Sequence, residues 1–115
     1  MINIYDDLNK LESTFRQTEQ FNALKTAIEE VKQDEAAVAL FAKFRELQMT
    51  LQEKQMKGEE IGEDELQYAQ KTAQLAQQNQ AISKMLMAEM ALSELVQEIN
   101  RVLTKPIQAM YDGIQ

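Results

Sequence analysis

The side chains in this sequence that could do chemistry are carboxylates and thioethers. Glu89 lies within the apolar stretch MLMAEMAL, Met85 to Leu92, and an acid held away from water is one way a general acid is made. A lone glutamate there also fits an ion pair with a lysine or arginine across a helix interface, which is the simpler expectation. Glu94 and Glu98 stand one helical turn apart on one face, as in di-metal carboxylate bundles. Those centres also take a histidine after a glutamate on neighbouring helices, and the sequence has no histidine. The acids Glu59, Glu60, Glu63, Asp64 and Glu65 have the charge to hold a cation or a basic partner. Three of them, however, sit where the start of a helix attracts negative charge. There are 7 methionines, with Met85, Met87, Met90 and Met110 toward the C-terminal end, and thioethers make adaptable contact surfaces or core. No glycine-rich phosphate loop or nucleophile elbow occurs. The expectation is a protein that is not an enzyme, with no catalytic residues, no metal and no cofactor.

Composition narrows the class further. The chain has 115 residues and no cysteine, histidine or tryptophan, which removes disulfides, iron–sulfur clusters, thiolate zinc sites and the ordinary nucleophilic triads. With 12 basic and 19 acidic residues the formal charge is −7, so the field of the protein repels a phosphate backbone and direct nucleic-acid binding is not expected. The N-terminal MINIYDDLNK carries acids where a signal peptide needs bases, and no apolar run approaches the roughly 20 residues that span a bilayer. A soluble cytoplasmic protein without membrane contact is expected.

The elements that must position these residues are all helices. No glycine precedes Gly58 and the only proline is Pro106, so the frequent turn residues of a sheet protein are missing. Ile4, Leu8, Leu11 and Phe15 recur at helical spacing, and Asn3 with Asp6 makes a capping pair; a first helix is expected over about 4–16. Thr18 caps a second over 19–33, with Phe21, Leu24, Ile28 and Val31 as its stripe. Asp34 caps a third over 35–57, whose buried seam is expected to be Val38, Phe41, Phe44, Leu47 and Leu51, with Gly58 just past its end. In IGEDEL, Gly62 serves as N-cap, Glu65 is placed to reach back to it, and Ile61 with Leu66 forms a hydrophobic staple.

A fourth helix follows, and nothing in the pattern stops it before Pro106, giving a span of 63–104, roughly 63 Å long. The fold class is therefore all-α in one domain, residues 1–115: a long antiparallel helical hairpin of 35–57 and 63–104, with the two short N-terminal helices packed on the C-terminal half of the long one. The first part of the long helix carries a thin stripe of Leu66, Ala69, Ala73 and Ala76, suited to one close neighbour. From Ile82 to Leu103 the apolar residues spread round the cylinder, and a helix apolar on nearly all sides needs partners on nearly all sides. A second copy of the chain is expected to cover one of them, through Met85, Met87, Met90, Leu92, Leu95 and Val96, making a homodimer at least.

The tract LQEKQMKGEEI, Leu51 to Ile61, together with Phe41, Phe44, Arg45 and Gln48, with Gln70-Lys71-Thr72 and with Lys105-Pro106-Ile107, resembles the YheA branch of the YlbF/YmcA family over nearly the whole chain. The resemblance implies an all-α fold built on a long helical hairpin that forms dimers or larger oligomers, in the cytoplasm of low-GC Gram-positive bacteria. It also implies kinship to YlbF and YmcA, non-enzymatic adaptors that with a third protein act on the endoribonuclease RNase Y. Through it they influence messenger RNA maturation, competence, sporulation and biofilm formation. Iron–sulfur clusters associated with that complex are held by cysteine, which this sequence lacks. The expected function is an oligomeric interaction or adaptor protein, with a protein partner in RNA processing; a holdase-like helical chaperone and a carboxylate-only enzyme using Glu89 are the alternatives. The first place to look for a partner surface is the hairpin tip, Lys54, Gln55, Met56, Gly58, Glu59, Glu60 and Ile61.

Overall fold

The computed structural model describes residues 2–114; Met1 and Gln115, the outermost positions of the expected domain, lie outside them. The described residues form five α-helices and no strand. These are α1 (Ile4–Phe15), α2 (Glu19–Lys32), α3 (Glu35–Lys57), α4 (Glu63–Gln78) and α5 (Gln80–Asp112).

The local capping chemistry sets these limits. Asn3 Oδ1 accepts from the Asp6 N–H at 3.4 Å, an N-cap bond, while Asn3 Nδ2 donates to the Asp6 carboxylate at 2.9 Å, a side-chain pair in place of the backbone bond of a full capping box. Thr18 Oγ1 accepts from the Phe21 N–H at 3.2 Å, and Asp34 Oδ1 from the N–H groups of Ala36 and Ala37 at 3.1 and 3.3 Å. Each gives an orphan donor of a first helical turn a partner.

The single long helix expected over 63–104 is not found. Asn79 interrupts it with ψ 120, ending α4. Its side-chain oxygen accepts from the Ile82 N–H at 3.1 Å and its carbonyl from the Ser83 N–H at 2.8 Å, which starts α5. Asparagine competes for backbone donors better than the glutamines around it, so it is the residue at which this run breaks. The expected stop at Pro106 is also corrected, because α5 continues through it to Asp112. Proline removes the donor that the Val102 carbonyl would use, but Val102 is exposed and solvent reaches it. Thr104 Oγ1 donates to the carbonyls of Asn100 and Arg101 at 2.9 and 3.2 Å just upstream. The ends of α1 and α2 each differ from expectation by one residue, within ordinary fraying.

The chain divides into two compact units, Met1–Lys25 with Met87–Gln115, and Thr26–Leu86. In the second, α3 and α4 approach closely backbone to backbone, joined by residues 58–62. Lys54 of α3 pairs with Glu65 of α4, and Lys43 lies 5.4 Å from the centre of the Tyr68 ring. As the α3 numbers fall the α4 numbers rise, which is the antiparallel order of a helical hairpin. The close approach is permitted by small residues: Ala37 and Ala76 are fully buried, and buried Thr72 donates its hydroxyl to the Tyr68 carbonyl at 2.9 Å. The expected large seam of α3 is accordingly displaced to the edges. Val38 is exposed and Phe41, Phe44, Leu47 and Leu51 are half-buried. The end of α2 and the start of α5 complete this unit with Ala27, Val31, Ile82 and Met85, all buried, and a Lys84–Glu30 ion pair at 3.2 Å outside them.

The first unit is thinner. Phe15 and Phe21 meet edge to face, 5.7 Å between centroids, holding α1 to the start of α2. Leu8, Leu11, Glu12 and Phe15 of α1 form an open groove of about 260 Å³ with Val96 and Ile99 of α5. Leu8 and Leu11 remain exposed there, and Ile4 more so.

Candidate functional site

Two surfaces were singled out by the sequence, and the structure treats them differently. At the hairpin tip, Gly58 adopts φ 70, ψ 19, the left-handed conformation that only glycine takes without strain. Its N–H bonds the Gln55 carbonyl at 3.2 Å and the Glu59 N–H bonds the Lys54 carbonyl at 2.9 Å, the paired bonds of a Schellman ending. Gly62 caps α4 with ordinary φ −65 and no side chain to help. Glu65 does not reach back to that cap as expected. Its carboxylate takes the Lys54 ammonium instead, both oxygens at 2.6 Å, because the close hairpin offers a cation with a full opposite charge. Lys54 is thus committed within the chain, while Gln55, Met56, Glu59 and Glu60 are exposed and Ile61 is half-buried. Met56, 82% exposed, is the tip's one large apolar side chain turned fully to solvent.

The α5 set splits. Met85 is only 4% exposed and belongs to the core of residues 26–86, so it is removed from the self-association surface. Apolar periodicity alone could not tell which side of an all-round apolar helix its own chain fills. Leu92 and Leu95 are half-buried, Val96 is 40% exposed and borders the α1 groove, and Met87 and Met90 are 69% and 67% exposed. Beyond them every described residue of 100–114 is exposed, including Leu103, Ile107 and Met110.

The carboxylates do not assemble into a reacting centre. Glu89 is half-buried and engaged in an interaction rather than free. Glu98 pairs with Arg101 one turn on, and the nearby carboxylate holds the Arg101 guanidinium above its ordinary pKa. Sequence reasoning passed over Arg101; the i, i+3 spacing from Glu98 is the signal that finds it. Among the described residues no group of acids is arranged to hold a metal ion, and no helix is long and apolar enough to cross a membrane.

With this geometry in hand, comparison with known proteins is decisive for kinship. The family described as control of competence regulator ComK, YlbF/YmcA, matches residues 4–108. The chain belongs to the YlbF/YmcA family. Within it the chain is similar to UPF0342 proteins: one from Lysinibacillus sphaericus is 57% identical over 115 residues, all of both chains. Another from Staphylococcus saprophyticus is 42% identical over 110 residues, 96% of each. Among solved structures, yheA from Bacillus subtilis matches with a TM-score of 0.74 at 34% identity, over 96% of this chain and 100% of that one. A protein of unknown function (DUF964) from Bacillus stearothermophilus matches with a TM-score of 0.86 at 35% identity, over 97% and 98%. These place the chain in the YheA branch of the family.

Proposed function

We propose that this member of the YheA branch is a non-enzymatic, self-associating helical scaffold of the cytoplasm that docks a protein partner, with a regulatory role in RNA processing. The observation that carries the reading is the large apolar surface left on α5, where Met87, Met90, Leu103 and Met110 are each more than half exposed. Large apolar side chains left exposed in this number along one helix support a protein-binding role. Kinship to YlbF/YmcA supports a regulatory rather than a catalytic role, and the RNA-processing assignment extends the role of those relatives to this chain. We treat the chain as one domain because α2 and α5 each contribute residues to both compact units. The finer arrangement we favour lays the N-terminal helices on the helix that forms the C-terminal half of the expected long one, now α5. The hairpin tip around Met56 is the candidate surface for the heterologous partner.

Affinity purification of the tagged protein from gently crosslinked cells of its host, with and without nuclease, tests the role. Recovery of a ribonuclease or its adaptors in both samples, lost on Met56→Ala, is the expected result. Recovery of the bait alone would overturn the adaptor reading. A chaperone reading would instead predict suppression of aggregation of an unfolded model substrate at stoichiometric amounts.

A further inference from the structure

In α3, Ala42, Met49 and Met56 recur every seven residues, and Glu46 and Glu53 recur at the same interval beside them. Glu60 continues the acid row just past the helix end. At about 100° per residue the five helical positions fall within roughly 80° of one another, on the side of α3 away from the half-buried Phe44, Leu47 and Leu51. All six residues of the two rows are exposed, Met49 by 66% and Met56 by 82%. Neither Glu53 nor Glu60 has an ion-pair partner among the described residues. Of the bases that border the face, Lys43 lies 5.4 Å from the centre of the Tyr68 ring and Arg45 lies 5.0 Å from that of Phe41, while Lys57 stands at the helix end.

We propose that this outer face of α3 docks an amphipathic helix of a partner protein, one that carries lysine or arginine in a row beside its apolar stripe. The proposal rests on the reading of the chain as a scaffold for a protein partner. It extends the tip surface at Met56 along about four turns of α3 and names the chemistry of what binds there. A seven-residue repeat of side chains is what a helix lying nearly along another helix meets, because both present the same interval. An extended chain, whose side chains alternate every two residues, has no such period. Thioethers suit the apolar half of the contact because they are polarizable and adapt to the side chains placed on them. Two methionines and an alanine offer too little apolar surface to select a partner by themselves. The acid row beside them makes the selection, since opposite charge speeds encounter and like charge excludes. The whole chain reinforces it with 19 acidic residues against 12 basic, a field that draws a cationic segment and repels a phosphate backbone. A second copy of the same face has only Lys57 to offer the acids.

The test places a photo-crosslinking benzoylphenylalanine at position 49 of the intact chain in its host cells and identifies the captured segment by mass spectrometry. Every substituted position is exposed, and circular dichroism checks that the helices remain. The expected segment has bases recurring every three or four residues beside an apolar stripe. Its crosslinking yield should fall at least about tenfold with Glu46→Lys/Glu53→Lys, and should return when the bases of the segment are exchanged for acids. Asp7→Lys/Glu29→Lys, the same change of charge on α1 and α2, should leave the yield within about twofold. A captured segment without bases, capture of a second copy of the chain, or a yield indifferent to the α3 charge reversal would overturn the proposal. If affinity purification recovers a partner while position 49 captures none, the scaffold reading stands and this face is refuted. Recovery of the bait alone in that purification would remove the scaffold reading and the proposal with it.

Discussion

The two compact units solve the problem of burial to different degrees. Every buried residue among those described lies in 26–86: Ala27, Val31, Ala37, Thr72, Ala76, Ile82 and Met85. The unit formed by 1–25 and 87–115 has none, although its helices carry at least as many large apolar side chains. The difference is one of neighbours rather than composition. In residues 26–86 four helical segments contribute to the buried set; in the other unit α1 lines an open groove with α5, and α5 runs on exposed. The first closes on a core of its own, and the second leaves its large side chains exposed.

Substitutions that separate the two units sharpen this contrast. The largest effect is expected for Ile82→Ala, which empties a fully buried site and should cost about 2–5 kcal/mol of stability in chemical denaturation. The same truncation at Leu103, 56% exposed, should shift the denaturation of the chain by less than about 0.5 kcal/mol. Equal losses at both positions would break the comparison. Next comes Ala76→Leu, an enlargement where two helices touch, expected to destabilise by about 1–3 kcal/mol through overpacking.

Within the tip, Gly58→Ala should cost about 1 kcal/mol because its φ is positive, whereas Gly62→Ala should be near neutral because its φ is ordinary and nothing lies within 4 Å of an added Cβ. Asn79→Ala removes the cap between α4 and α5 and should cost a similar amount, about 1 kcal/mol, read as a drop in melting temperature.

The smallest effect concerns pH. The Tyr68 hydroxyl beside Lys43 holds its ammonium above the ordinary lysine pKa of 10.5. A raised folded-state pKa adds stability that is fully present below 10.5 and is lost as pH rises through the higher folded value. Tyr68→Phe should therefore lower stability slightly at neutral pH, where that contribution is fully present, and flatten the loss of stability in the alkaline range, where the two proteins converge.

These features were not equally legible in the sequence. The caps at Asn3, Thr18, Asp34, Gly58 and Gly62 could be read because each is decided by a residue and the few that follow it. The break at Asn79 was hidden because the apolar stripe continues across it, and the capping bond to Ile82 is visible only once the helix has ended. Pro106 misled in the other direction, since one lost bond at a solvated position does not outweigh the helix formers on either side. Glu65 shows how a local rule yields to tertiary charge: a capping box was available, and Lys54 across the hairpin took the carboxylate. The candidate surfaces were half legible. Helical periodicity found the apolar stretch that contains Met87 and Met90, but only the fold distinguishes them from Met85, buried two residues away.

The central claim is that the α5 surface is completed by another copy of the chain. Sedimentation equilibrium across low to high micromolar concentration measures this directly. The account predicts a mass rising to twice the 13.2 kDa of the chain. A single mass of 13.2 kDa at every concentration would contradict it.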